Sequence, residues 1–172
     1  MNWQHAAAVI ALAPAMAFAQ APSDPQIAGI VVTANQIDVD AGKLAKSQSK
    51  RKDVQQFAQQ MITDHTAVNK QASALAKKLG VKPEDSDTSK ALKQAAADTA
   101  KKLKGLKGAQ FDKAYVDNEV AFHQQVLDAI DKVLVPSAQN AELKALITKV
   151  RPAIAAHLEH AKHLQASVSA KK

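Results

Sequence analysis

The sequence predicts an all-α protein, with four long helices packed as a bundle and one weaker helix between the two pairs. Three observations carry this. Turn chemistry for a sheet is scarce, with five glycines and six prolines in 172 residues. Alanine, the strongest helix former, supplies much of the 47% apolar content. Apolar residues then recur at helical spacing through most of the chain. With only four Phe, one Tyr and one Trp, the expected core is built of small side chains that let helices approach closely.

Ser23 or Asp24 can cap a first helix, with Pro25 at an early position. Its stripe of Ile27, Ile30, Val31, Ala34, Ala41, Leu44 and Ala45 runs to about residue 48. The polar run "SQSKRKD" makes a tight connection. A second helix carries Val54, Phe57, Ala58, Met61, Val68, Ala72, Leu75 and Leu79, with Gly80 as its stop and Pro83 just beyond. A third, from Asp87 to about Lys104, has little to bury besides Leu92 and Leu103, and Gly105 and Gly108 end it. The fourth starts near Ala109 and carries Phe111, Tyr115, Phe122, Val126, Ile130 and Val133 up to a break at Pro136-Ser137. The fifth runs from about Ala138 to Ser167 with Leu143, Leu146, Ile147, Val150, Ile154, Leu158, Ala161 and Leu164. Pro152 inside it removes one backbone hydrogen bond and predicts a kink.

Tight turns join the long helices in pairs. The third helix, at roughly 1.5 Å per residue, spans about 27 Å, enough to carry the chain back along the bundle. Helices two and four are then parallel. This is a ferritin-like four-helix bundle with a short crossover helix between its two hairpins.

Ahead of the bundle, "MNWQHAAAVIALAPAMAFAQ" reads as a secretory signal ending in the A-x-A pattern Ala17-Phe18-Ala19. The expected organisation is a signal peptide over 1–19, a short lead over 20–23, the bundle over 24–168 and a basic tail over 169–172. The apolar run is short against the roughly 20 residues that a bilayer needs and contains Pro14. Cleavage into a bacterial periplasm is the first reading. Anchorage to the inner membrane through an uncleaved N-terminus is the alternative, because the segment lacks Lys and Arg. No later segment is apolar enough to span. Zero cysteines mean a fold that needs neither disulfides nor thiolate metal sites.

The formal charge of +7 falls wholly outside the signal segment, with a local cluster at Lys101, Lys102, Lys104 and Lys107. Such an excess is a solvated face or a contact for anionic envelope components or a partner protein. Nucleic acid is excluded as a partner by the export signal and the lack of interleaved basic and aromatic residues. Nothing resembles a nucleophile elbow, a phosphate loop or a dinucleotide fingerprint, so no catalytic residues and no enzymatic activity are assigned.

The inward helix faces carry the chemistry. At 100° per residue Asp38 falls in the centre of the first stripe, while Asp40 points to solvent. His65 is central in the second helix, with Asp64 toward one edge. In the fourth, Glu119 and His123 are four apart and share a face. In the fifth, His157 lies beside Ile154 and Ala161, with His160 and His163 turned progressively outward. If the two hairpin turns lie at opposite ends of a bundle roughly 40 Å long, all five groups fall near its middle. Asp38 is the expected partner of His65. Two readings follow: a satisfied buried polar network, or a site for one transition metal ion (zinc, iron, copper or nickel) at Asp38, His65, Glu119, His123 and His157. A di-iron arrangement is disfavoured, because such bundles use two Glu-x-x-His motifs and this chain has a single Glu-x-x-x-His. The run "HLEHAKH" is a looser surface candidate through His157, Glu159, His160 and His163.

The segments "DVQQFAQQMITDHTAVNKQASALAKKLG", "FDKAYVDNEVAFHQQVL" and "RPAIAAHLEHAKHL" resemble the bacterial exported-protein family catalogued as domain of unknown function 4142. The resemblance spans about residues 24–165. It is carried by Phe57-Ala58, Met61, Asp64-His65 and Asn69, supported by Phe111-Asp112, Tyr115, His123, Pro152 and His157-Leu158. It implies a ferritin-like fold and export, and no reaction. Family members usually carry Glu where Asp38 stands. The shorter carboxylate disfavours bridging two metals and leaves a hydrogen bond or a single ligand.

Overall fold

The protein is described by a computed structural model that covers residues 21–170. The expected signal segment and the end of the basic tail lie outside the described residues. Five helices follow one another: α1 Asp24–Gln48, α2 Lys52–Lys78, α3 Asp87–Lys104, α4 beginning as Gly108–Ala129, and α5 Ala141–Ser169. No strand occurs among the described residues.

Local chemistry sets most of the boundaries. Ser23 caps α1 in a capping box, its hydroxyl accepting from the Gln26 N–H while the Gln26 side chain accepts from the Ser23 N–H. Ser86 and Ser89 form the same device at α3. The Asn140 side chain accepts from the N–H groups of Glu142 and Leu143, so α5 starts at Ala141, three residues later than the apolar pattern alone suggests. Gly80, at φ +63°, takes the left-handed conformation just past α2 that a side chain would oppose.

One feature departs from the sequence expectation. The fourth helix ends at Ser137, at the expected Pro136-Ser137 break, but does not reach it as a plain α-helix. It passes through a π-helical turn, Ile130–Leu134, and closes with Val135–Ser137. Pro136 lacks an N–H and its ring crowds the carbonyl four residues back, which a locally wider turn relieves. The fifth helix is continuous across Pro152, whose ring faces solvent.

Hydrogen bonds between the helix ends fix the topology. At one end, the Asp24 carboxylate accepts from the N–H groups of Gln139 (2.9 Å) and Asn140 (2.8 Å), and the Glu84 N–H donates to Pro25 O. The start of α1, the α2–α3 connection and the α4–α5 turn therefore meet there. Gly29 permits this, since a Cβ on it would lie 2.0 Å from the Glu84 carbonyl oxygen. At the other end, Gln48 donates to Leu106 O and Arg51 to the Ser167 hydroxyl. Each long helix thus runs the full height, α2 and α4 are parallel, and α3 returns the chain against α1. This is the ferritin-like connection.

Along this axis the interior has three layers. An apolar cluster at the Asp24 end includes Ile27, Ile130, Leu134, Ile147 and Leu158. Another at the Arg51 end includes Phe57, Met61, Phe111, Tyr115 and Leu164. Gly42 lets α1 and α2 close near this second cluster, where a Cβ would lie 2.8 Å from Ala58 O. Between the clusters lies a layer of buried polar side chains.

Candidate functional site

That middle layer contains every site residue read from the sequence. Asp38, His65, Glu119, His123 and His157 come from the four long helices, and none is more than 3% exposed. The three imidazoles form a triangle, with ring centroids 5.7 Å apart for His65–His123, 5.2 Å for His65–His157 and 5.6 Å for His123–His157. One potential ligand atom from each lies within 4.8 Å of the others. The same spacing holds for Asp38, Glu119 and His123, so His123 is common to both groups.

The hydrogen bonds determine which nitrogen of each ring faces the centre. The Asn35 amide donates through Nδ2 to Val31 O at 2.7 Å, which turns its Oδ1 toward His65 Nδ1 at 2.7 Å. An amide oxygen only accepts, so His65 carries its proton on Nδ1. His123 Nδ1 lies 2.9 Å from the Glu119 backbone oxygen and must likewise donate. His157 Nε2 donates to the Asp64 carboxylate at 2.9 Å. Burial, reinforced by the neighbouring imidazoles, pushes His65 down to about 3. Burial also takes His123 down to about 4, and lowers His157 against the pull of Asp64. Near neutral pH the rings are uncharged, and each keeps one lone pair. Those lone pairs sit on His65 Nε2, His123 Nε2 and His157 Nδ1, and all three atoms are buried without a hydrogen-bond partner.

The carboxyls show the same pattern. Asp38 Oδ1 and both Glu119 oxygens are buried and unpartnered. Burial, and then the Glu119 charge, holds the Asp38 carboxyl well above the usual carboxylate range. Burial pushes Glu119 up to about 8. A proton or a cation is needed to neutralise this pair. One helical turn from Glu119, the Tyr115 hydroxyl is also buried and unpartnered, and burial and the two carboxyls raise its pKa.

One expectation is corrected. The hydrogen-bond partner of His65 is Asn35, not Asp38. Asp38 Oδ2 stands 3.4 Å from the opposite nitrogen, Nε2, without bonding geometry. The 100° wheel centred both Asp38 and His65, but Asp38 and Asn35, with side chains of equal length about one turn apart on α1, meet opposite edges of the ring. Sequence reading also missed Asp64 as the acceptor for His157. Asp64 sits at the helix edge, half-exposed, where it can reach α5 while remaining solvated. The signal for Asn35 was its position three residues before Asp38 on the same face. Of the four candidate ligands in "HLEHAKH" only His157 is buried. His160 and His163 are exposed, Glu159 pairs with Lys162, and none of these three joins a potential metal group among the described residues.

Chemically, three neutral nitrogen donors and two carboxyls come together in a buried layer. Each imidazole is oriented by an oxygen acceptor on its far side, the arrangement that raises ligand basicity and fixes ring orientation in metal proteins.

Among solved structures, the fold is similar to that of a DUF305 protein from Streptomyces coelicolor, described as secreted. The TM-score is 0.71 at 14% identity, covering 86% of this chain and 94% of that one. Among curated proteins none matches the chain. The family described as "Domain of unknown function (DUF4142)" matches residues 10–164, and the chain belongs to that family.

Proposed function

We propose that this protein binds one transition metal ion in the middle of its bundle, through His65, His123 and His157, with Asp38 and Glu119 supplying negative charge. The observation that carries the reading is the trio of inward lone pairs on His65 Nε2, His123 Nε2 and His157 Nδ1. A structural polar network satisfies its members, whereas here six nitrogen and oxygen atoms of five buried side chains lack partners. Metal–nitrogen bonds of about 2.0–2.1 Å in a tetrahedral set place the donors roughly 3.4 Å apart. Side-chain contraction from the 4.8 Å limit is therefore modest. Imidazole and carboxylate donors suit zinc, iron, copper and nickel. The site works in the bacterial periplasm, and the function is to hold the metal in the envelope rather than to turn over a substrate. Support for export comes from the signal-like N-terminus in the sequence. Among the described residues no helix is long and apolar enough to cross a membrane.

Metal analysis of untagged protein tests this. The expected result is close to one ion per chain, lost on His65→Ala and retained on His163→Ala, where the side chain is exposed. Less than about 0.1 ion per chain, with no thermal stabilisation by added divalent ions, refutes it.

A second reading rests on the exposed lysines Lys101, Lys102, Lys104 and Lys107 around the end of α3. They give a basic face suited to anionic envelope components or an acidic partner. Binding to anionic vesicles that weakens steeply between low and physiological salt supports it, and salt-insensitive binding or none refutes it.

A further inference from the structure

On the Asp24 side of the polar layer the interior contains a cavity of about 50 Å³ between α1, α4 and α5. Its walls are nearly all apolar and include Ile30, Ala34, Ala129 and Ile147. The exceptions are Asn35, Asp38 and His65. Two of these carry buried atoms with no partner, Asp38 Oδ1 and His65 Nε2, on side chains 3% exposed. Ile130 and Leu134, the first and last residues of the π-helical turn, both line the cavity. The wider turn thus forms part of the cavity wall. Unfilled apolar volume is destabilising, and a single larger side chain at Ala34 or Ala129 could remove it.

At roughly 10–15 Å³ for each water-sized probe, this volume takes about three to five small atoms. Apolar walls give water few partners, and no Lys or Arg lines the cavity to receive an anion. A short, neutral molecule fits best.

We propose that the cavity admits a small neutral molecule of two to four heavy atoms to the ion held by His65, His123 and His157, as a further ligand on the Asp38–His65 side. The inference rests on the metal-binding reading above. Asp38 and His65 are the two site residues that line the cavity. Three imidazoles and a carboxylate leave an ion such as ferrous iron with an open position, and the cavity is the space beside it.

The test uses the full chain loaded anaerobically with ferrous iron, with nitric oxide as the probe. Iron content is measured first, then the electron paramagnetic resonance signal of the ferrous nitrosyl. Wild type is expected to form the adduct stoichiometrically. Ala34→Leu and Ala129→Leu, which narrow the cavity from opposite walls, are expected to keep wild-type iron content but weaken nitric oxide binding at least tenfold. Wild type is also expected to exclude tert-butyl isocyanide, which exceeds the cavity, and this comparison decides alone if the variants do not fold. Wild type that holds zinc, copper or nickel but no iron overturns this inference while the metal reading stands, and wild type that holds none of zinc, iron, copper or nickel overturns both. Iron with no nitrosyl, a nitrosyl unaffected by both substitutions, or ready binding of the isocyanide overturns the cavity's role while the metal reading stands.

Discussion

Replacing Glu119 by Gln should stabilise the metal-free protein. Glu119 is 1% exposed, with both carboxylate oxygens unpartnered, and burial pushes it from 4.5 up to about 8. Between those values the folded chain holds a proton that the unfolded chain releases. Stability therefore falls as pH rises from about 4.5 to 8, and is flat outside that window. At pH 7 the window has been crossed by about 2.5 units, worth roughly 3 kcal/mol at 1.36 kcal/mol per unit. Glutamine has nearly the same shape and no such titration. E119Q should then gain up to about 3 kcal/mol at pH 7, or roughly 6–12 °C in Tm for a chain of this size. Little gain is expected at pH 4. Asp38 shares the carboxyl pair, so relaxation around it reduces the figure without changing its sign. The histidine titrations are common to both proteins and cancel in the difference. The assay is a thermal melt of chelator-treated wild type and E119Q at pH 4, 5.5 and 7. The same pair with added metal should reverse the order, because wild type gains more binding energy. A metal-free E119Q that melts at or below wild type at pH 7 refutes the reasoning, and makes Glu119 a structural hydrogen-bonding group.

Other outcomes follow from the same geometry. Asn35→Ala and Asp64→Ala remove the oxygen acceptors of His65 and His157, and each should weaken metal binding about 10–100-fold without abolishing it; competition with a chromophoric chelator measures this. Metal affinity should rise with pH up to about 8, because binding must displace the proton held by Glu119, whereas His65 and His123 are already neutral above about 4. Calorimetry in buffers of different ionisation enthalpy reads the released proton directly. Gly29→Ala should destabilise the fold by roughly 1–3 kcal/mol, because its Cβ would meet the Glu84 carbonyl at 2.0 Å. Metal stoichiometry should be unchanged, since Gly29 lies at the end of the bundle, away from the polar layer.

Helix order, the crossover and the five inward groups were legible because each depends on a strong periodic signal. Asp38 at the centre of a stripe of Ile and Ala, and His65 between Met61 and Ala72, are anomalies that a 3.6-residue period exposes at once. Depth was legible too, because helix rise is fixed and the turns are short. Hydrogen-bond partners were not. Whether His65 bonds Asn35 or Asp38 depends on which edge of the ring each of two equally long side chains on α1 meets, which no periodicity reports. Asp64 was hidden because its function lies at an edge, where a wheel shows only solvent. The π-helical turn was not legible, because Pro136 marks where the helix ends, at Ser137, and not how the turn before it widens.

The layered interior explains why such a site can exist in a small protein. Phe57, Met61, Phe111 and Tyr115 on one side, and Ile27, Ile130, Ile147 and Leu158 on the other, form two apolar clusters that bury the layer between them. Burial makes the carboxyl pair costly and keeps the imidazoles neutral. Both effects favour an incoming cation, since a low local dielectric strengthens its attraction to the carboxyls and no imidazole must first lose a proton. The clusters can bear the unfavourable layer because they are contiguous with the ends of all four long helices, where Asp24, Asn140, Gln48 and Arg51 tie the chain together. Filling the middle layer with leucine would give a more stable bundle, so a layer of unpaired donors and acceptors that survives in the fold is best understood through the ion that it binds.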